Sequence, residues 1–174
     1  MRPAAAPCTH ARPRGKRRAR RRGFTLIELM VSILVMAILA VMVEHIFEIM
    51  ATRKREQALY VDLRLLRGAI DAYKHAYDAG RIAPVEGSSG YPKNLQALVD
   101  GADDALDPNH GKLRFLDQIP GDPMERDKSI APADTWAPRA YASDPNDPRP
   151  GADVYDVHSK STRPGLNGAA YSLW

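Results

Sequence analysis

The sequence predicts an α+β fold in which one long N-terminal helix, first transmembrane and then amphipathic, packs on a small antiparallel β-sheet within a loop-rich C-terminal region. Three observations support this prediction: an uninterrupted apolar run, a helical stripe of apolar residues behind it, and a proline-rich remainder with short β-type segments. With 174 residues, 44% of them apolar and 26% charged, the chain has a globular composition and room for one compact domain.

A strongly basic segment precedes the apolar run. Residues 1–23 hold nine of the 25 Lys and Arg residues and no Asp or Glu, so the remainder carries 16 basic against 21 acidic residues. A basic arm is typical of proteins that bind nucleic acid or an anionic membrane surface. Because the basic residues end where an apolar helix begins and the rest of the chain is acidic, the pattern favours a membrane and argues against nucleic acid.

The apolar run, residues 24–43, is the predicted transmembrane part of the helix. Twenty such residues form about 30 Å of helix, which is enough to cross a bilayer. The run contains neither Pro nor Gly, and its polar members are Thr25, Glu28 and Ser32. No small-residue cleavage site follows it, so we do not expect ordinary secretory cleavage.

An amphipathic part of the same helix is predicted over residues 44–79. Apolar residues recur there at spacings of three and four, which places them on one face. Gly80 is the expected stop, and Pro84 lies beyond the end of the helix. We interpret the stripe as packing rather than as a cofactor site. Its members are Leu59, Leu63, Leu66, Ile70, Tyr73 and Tyr77.

The remainder, residues 80–174, is predicted to be a small loop-rich α/β region rich in Asp-Pro and Asn-Gly turn signals. The segment YPKNLQALVDG predicts a short helix that ends at Gly101, and KLRFLDQIPGDP alternates briefly before a turn. The segments RAYAS (139–143), DVYDV (153–157) and AAYSL (169–173) predict a sheet of about three strands. These segments contain too few apolar residues to build a core by themselves, so we expect the amphipathic helix to form the second layer.

The sequence lacks the residue patterns of an enzyme. The five histidines have no metal-binding spacing, no Gly-rich phosphate loop or G-x-S-x-G occurs, and the single cysteine, Cys8, lies in the basic segment. Asp103, Asp104 and Asp107 form an acidic cluster that we interpret as a solvated loop. We therefore predict that the protein has no catalytic residues.

The string Gly-Phe-Thr-Leu-Ile-Glu at 23–28 follows arginines and leads straight into the apolar run. It resembles the processing signal of type IV pilins and type II secretion pseudopilins. The resemblance implies that residues 1–23 are a leader, that a prepilin peptidase cuts between Gly23 and Phe24, and that the new Phe24 amine is methylated.

The order of the C-terminal segments narrows the resemblance. A Tyr-Pro with a short helix, then IPGDP, then YDVHSKSTRPGLNG, is similar to the pattern of the major pseudopilin of type II secretion. This implies a subunit of a periplasmic filament that moves folded proteins across the outer membrane. The subunit would cross the bacterial inner membrane once, with its N-terminus cytoplasmic before cleavage and its C-terminal domain periplasmic.

The resemblance also implies partners. These are further copies of the chain, minor pseudopilins, the prepilin peptidase, and an inner-membrane assembly platform with its ATPase. Two alternatives stay open: a type IV pilus or competence pilin, and a signal-anchored periplasmic domain that does not polymerise.

Glu28 is the predicted assembly residue. A carboxylate inside hydrocarbon costs at least ~2.5 kcal/mol, so it is retained where it finds a partner. In a filament, Glu28 of one subunit would meet the Phe24 amine of a neighbour, which would neutralise both groups and set the axial register. The alternative is that Glu28, only about one helical turn into the span, reaches water.

The resemblance further implies calcium in the C-terminal loop. Calcium prefers carboxylate oxygens, whereas this loop has no Asp of its own and contains Lys160 and Arg163. We expect poor binding unless the fold brings Asp153 and Asp156 to the loop. The weak candidate ligands within it are Ser159, Ser161 and Asn167.

Overall fold

The computed structural model describes residues 23–109, 111–145 and 147–174, and at 42–45 it describes the backbone alone. The predicted leader up to Arg22, which includes Cys8 and His10, therefore lies outside the described residues. So do His110 and the side chain of His45.

The described regular structure consists of a long helix, a short helix and two small antiparallel sheets. Helix α1 spans Leu26–Asp78 and α2 spans Gln96–Asp100; the strands are β1 Ala102–Asp103, β2 Lys112–Leu113, β3 Trp136–Arg139 and β4 Asp156–Ser159. Strand β1 pairs with β2, and β3 pairs with β4. Two 3₁₀ helices lie at Pro132–Thr135 and Tyr171–Leu173. The predicted α+β, pilin-like arrangement is confirmed.

The end of α1 follows from local sequence chemistry. Gly80 has a φ of 70°, the left-handed conformation that glycine adopts without strain. Its N–H donates to the carbonyl of Tyr77 and the N–H of Arg81 donates to that of Ala76, both at 2.9 Å. These two bonds form a Schellman motif, which satisfies the last carbonyls of the helix. The predicted stop at Gly80 is confirmed.

The hydrophobic core lies in one unit of the chain. The chain divides between Val43 and Glu44, and the core belongs to the unit Glu44–Trp174. The first four stripe residues of α1 are buried and the two tyrosines are half-buried, so the packing role of the stripe is confirmed. The buried partners from other segments are Leu95, Leu98, Leu116, Met124, Trp136, Val154, Val157 and Tyr171.

The prediction that RAYAS, DVYDV and AAYSL form a three-stranded sheet is wrong. Strand β3 begins at Trp136, so RAYAS contributes only Arg139, and after it the N–H of Ser143 turns back to the carbonyl of Ala140 at 3.1 Å. Pro138 made the true strand hard to predict. A two-stranded sheet has only edge strands, however, and proline is tolerated there.

The other two predicted strands also differ from the structure. DVYDV supplies only its last two residues to β4, which continues to Ser159. In AAYSL, Ala170 forms only an isolated antiparallel bridge with Pro164, and the last three residues form the second 3₁₀ helix. The N–H of Trp174 donates to the carbonyl of Tyr171 in this helix at 3.2 Å. This turn places the two aromatic rings 5.3 Å apart, so core packing overrides the β preference of the segment.

Arg67 connects α1 to distant parts of the chain. Its Nε donates to Oδ1 of Asp156 at 2.7 Å, and its Nη2 donates to the carbonyls of Val157 at 3.0 Å and Trp174 at 2.9 Å. One guanidinium on the helix therefore fixes both β4 and the residue that follows the second 3₁₀ helix.

The acidic cluster is not simply a solvated loop. Asp104 is buried, and it accepts hydrogen bonds from the guanidinium of Arg81 and, at 3.1 Å, from the N–H of Leu106. The hydrogen bond from Arg81 holds the pKa of Asp104 below its ordinary value. The interpretation as a solvated loop is therefore wrong for Asp104, which ties the segment after α1 to β1.

The stripe makes a direct prediction about stability. We expect Leu66→Ala to lower the free energy of unfolding by about 2–5 kcal/mol, because it removes a fully buried side chain from the core. Leu65→Ala is the matched control, since its side chain is 49% exposed on the same turn. Urea unfolding of the full chain in detergent micelles measures both. Equal losses for the two variants would contradict the assigned face of α1.

The Arg81–Asp104 pair predicts a loss of stability in acid. Since the folded-state pKa of Asp104 is lowered, its contribution is present above the ordinary Asp pKa and is lost as the pH falls below about 4. We expect Asp104→Asn to reduce the midpoint of thermal unfolding at pH 7 and to make it fall less between pH 5 and pH 3. Asp103→Asn, an exposed neighbour, is the control. An unchanged acid profile in Asp104→Asn would contradict the pairing.

Candidate functional sites

The first candidate site is the junction at Gly23 and Phe24. Residues 23–25 precede the first turn of α1 and are not helical. Among the described residues other than its chain neighbours, no atom lies within 4 Å of where a Cβ on Gly23 would stand, and Phe24 is 79% exposed. The peptide bond between them is therefore accessible in the described chain without unwinding the helix.

Thr25 caps the helix that carries Glu28. Its Oγ1 accepts a hydrogen bond from the N–H of Glu28 at 3.3 Å, and its carbonyl accepts one from the N–H of Leu29 at 3.1 Å. A Thr at the N-cap with a Glu three residues later is the sequence signature of a capping box. The same string that resembles a processing signal thus also starts α1, and the sequence analysis missed this second role.

Glu28 is exposed on an apolar surface. Ser32 Oγ donates to the backbone carbonyl of Glu28 at 2.7 Å, so the hydrogen bonds that Thr25 and Ser32 make with Glu28 both use its backbone atoms. Its neighbours Leu26, Ile27 and Leu29 are exposed, as are the other side chains described from 24 to 41. Within the described residues, α1 is the one helix long and apolar enough to cross a membrane.

The second candidate site is the C-terminal loop with its predicted calcium ligands. Ser159 is buried, and its Oγ donates to Oδ2 of Asp122 at 2.5 Å. Ser161 Oγ accepts from Nε of Arg163 at 3.3 Å, and Asn167 Oδ1 accepts from the N–H of Ala169 at 3.0 Å. Each candidate side-chain oxygen is therefore already engaged within the protein.

The fold does not bring the two distant aspartates to this loop. Asp153 accepts hydrogen bonds from Ser89 and from the N–H of Tyr141, while Asp156 pairs with Arg67. Across the described ranges, no group of three or more His, Cys, Asp or Glu side chains could hold a metal ion. The residues present do not fit calcium.

Glu56, on α1, makes contacts that were not predicted from the sequence. Its Oε1 accepts from the N–H of Leu166 at 2.7 Å and from the hydroxyl of Tyr171 at 2.9 Å. Burial, and then the hydrogen bond to Glu56, raise the pKa of Tyr171. Since these partners are more than 100 residues away along the chain, no local pattern could have identified the contact.

The N-terminal junction matches a known sequence motif. Residues 18–43 match the prokaryotic N-terminal methylation motif, and this range includes Gly23, Phe24 and Glu28. A methylation motif on a long helix that is followed by small antiparallel sheets defines the chain as a pilin-like protein.

The particular family follows from a relative that matches most of the chain. The chain is 33% identical over 116 residues to type II secretion system core protein G of Klebsiella pneumoniae, which covers 64% of this chain and 74% of that protein. No solved structure matches the chain significantly. The chain therefore belongs to the family of type II secretion core protein G, the major pseudopilins. Membership in this family makes it a structural subunit rather than an enzyme, as predicted.

Proposed function

We propose that the protein is a structural subunit of the periplasmic filament of a type II secretion system, which moves folded proteins across the outer membrane. The observation that supports this most directly is the methylation-motif match at 18–43. It coincides with an accessible Gly23–Phe24 bond and an exposed apolar helix in a chain of the core protein G family.

The proposed maturation removes residues 1–23 and methylates the Phe24 amine. Cleavage at this point leaves the capping residue Thr25 and the whole of α1 intact. The mature chain then has three parts: a transmembrane part of the helix at 24–43, a periplasmic amphipathic part at 44–79, and the small domain at 80–174.

The role proposed for Glu28 follows from comparing two free energies, the gain from the helix dipole and the cost of burial in hydrocarbon. A carboxylate in the first turn of a helix gains about 0.3–1 kcal/mol from the helix dipole. Burying it in hydrocarbon costs at least ~2.5 kcal/mol. The local helix therefore does not offset the cost, whereas a cation close to the carboxylate does. The processed amine of Phe24 in a neighbouring subunit is that cation in our proposal, which makes Glu28 the residue that sets the axial register.

The proposed location and partners follow from the exposed apolar surface. The large hydrophobic side chains described between residues 24 and 41 are exposed. Such a surface requires lipid or the helices of neighbouring subunits to cover it. We infer a single-pass protein of the bacterial inner membrane with a periplasmic C-terminal domain. Its partners would be further copies, minor pseudopilins, the prepilin peptidase, and the assembly platform with its ATPase.

The alternatives make different predictions about assembly. A type IV pilus or competence pilin shares the same N-terminal chemistry, but the relationship to core protein G favours secretion. A signal-anchored domain that does not polymerise has no use for a free Phe24 amine, so processing and assembly tests separate it from a pseudopilin.

Mass spectrometry of the purified membrane protein tests the processing. We expect an N-terminus at Phe24 that carries a methyl group. Gly23→Val should keep the leader, because the peptidase requires the glycine, although the fold has room for a side chain there. Gly68→Ala is the control, because Gly68 also has room for a Cβ, and this variant should be processed normally. An intact Met1 chain in the unmodified protein would overturn the proposed processing.

Replacement of Glu28 tests the proposed register. We expect Glu28→Ala to be cleaved normally but to yield at least about tenfold fewer filaments, because roughly 1.4 kcal/mol of lost pairing is a factor of ten. The Thr25 cap uses the backbone N–H of Glu28, so this change leaves the cap in place. Glu48→Ala, which removes an exposed carboxylate farther along α1, should assemble as the unmodified chain does. Electron microscopy and cross-linking count the filaments, and normal assembly of Glu28→Ala would refute the register role.

A further inference from the structure

We propose that the C-terminal loop of this chain is held closed without calcium, by direct hydrogen bonds that we call the C-terminal clasp. The clasp consists of Glu56, Asp122, Ser159, Lys160 and Arg163. This inference concerns the folded domain itself and does not depend on the proposed filament role.

Two cationic side chains of the loop bind backbone oxygens of neighbouring segments. Nη2 of Arg163 donates to the carbonyl of Met124 at 2.8 Å, and Nζ of Lys160 donates to the carbonyl of Asp134 at 2.5 Å. A divalent cation in a protein loop does the same work, because it draws carbonyl oxygens from separate segments to one positive charge. Here the positive charge is covalently part of the loop.

A buried carboxylate holds the start of the loop. Asp122 is 3% exposed and accepts from Ser159 Oγ at 2.5 Å and from the N–H of Met124 at 2.7 Å. Ser159 Oγ in turn accepts from the N–H of Ser161 at 3.1 Å. Asp122 is therefore committed to protein donors on both of its oxygens.

Glu56 holds the far end of the loop against α1 through Leu166 and Tyr171. Between these two anchors the loop closes on itself. The N–H groups of Tyr171 and Ser172 donate to the carbonyls of Arg163 at 3.1 Å and Ser161 at 2.9 Å.

These contacts leave little for calcium. Calcium takes six to eight oxygen ligands, usually including carboxylates. In the described part of the loop the candidate side-chain oxygens already accept or donate hydrogen bonds, and the carbonyls of Ser161, Arg163 and Gly165 already accept them. An ion among them would also face the charges of Lys160 and Arg163.

Thermal unfolding of the full chain in detergent micelles tests the proposal. We expect the midpoint to differ by less than about 1 °C between excess calcium and excess EDTA. If calcium did bind, a free concentration of about one hundred times its Kd would raise the midpoint by at least about 5 °C in a domain of this size. A calcium-dependent rise of that extent would overturn the proposal.

Variants of the clasp test its mechanism. We expect Arg163→Ala to lower the midpoint by about 3 °C or more in both calcium and EDTA, because it removes charge-assisted hydrogen bonds of a half-buried guanidinium. Lys160→Ala should have a smaller effect, since Lys160 is exposed.

Arg126→Ala and Lys128→Ala are the matched controls, because both residues are exposed on the neighbouring loop and carry the same charges. Both should change the midpoint by less than about 1 °C. Equal effects of Arg163→Ala and Arg126→Ala would overturn the clasp. If Arg163→Ala does not fold, the comparison of calcium with EDTA on the unmodified chain still decides the proposal.

Discussion

Burial of the α1 stripe is the interaction on which the rest of the domain depends. The strands of one sheet are two residues long and those of the other are four residues long, and an isolated two-stranded sheet is marginal in water. Each fully buried Leu or Ile of the stripe contributes about 1.5–3 kcal/mol. The loops of residues 80–174 therefore take their stability from the helix and cannot form a core by themselves.

Polar residues beside the stripe then determine how those loops lie on the helix. Glu56 fixes Leu166 and Tyr171, and Arg67 fixes Val157 and Trp174. Hydrogen bonds to charged groups contribute about 1.5–3 kcal/mol each when buried, and less where water competes. Because both ties start from α1, the helix holds the last segment of the chain at two separate points.

The features that could be predicted from the sequence are those that depend on neighbouring residues. The stripe of α1, the glycine stop at Gly80 and the end of α2 at Gly101 each depend on residues within a turn or two. The pairing of Asp104 with Arg81 and the contacts of Glu56 depend on residues far apart in the chain, so no spacing rule reveals them. AAYSL was predicted wrongly because the packing of Tyr171 against Trp174 outweighed its β preference.

Small exported domains are stabilised by disulfides or by bound metal ions, and this domain uses a third means, hydrogen bonds from charged side chains. In the proposed mature chain Cys8 is absent, so no disulfide forms, and the loop that resembles a calcium site lacks suitable ligands. Packing alone leaves this loop with backbone groups that must find partners. Arg163, Lys160 and Glu56 supply them from side chains, so the partners are present at any calcium concentration and in any redox state. The clasp therefore makes closure of the loop a property of the sequence rather than of the surrounding medium.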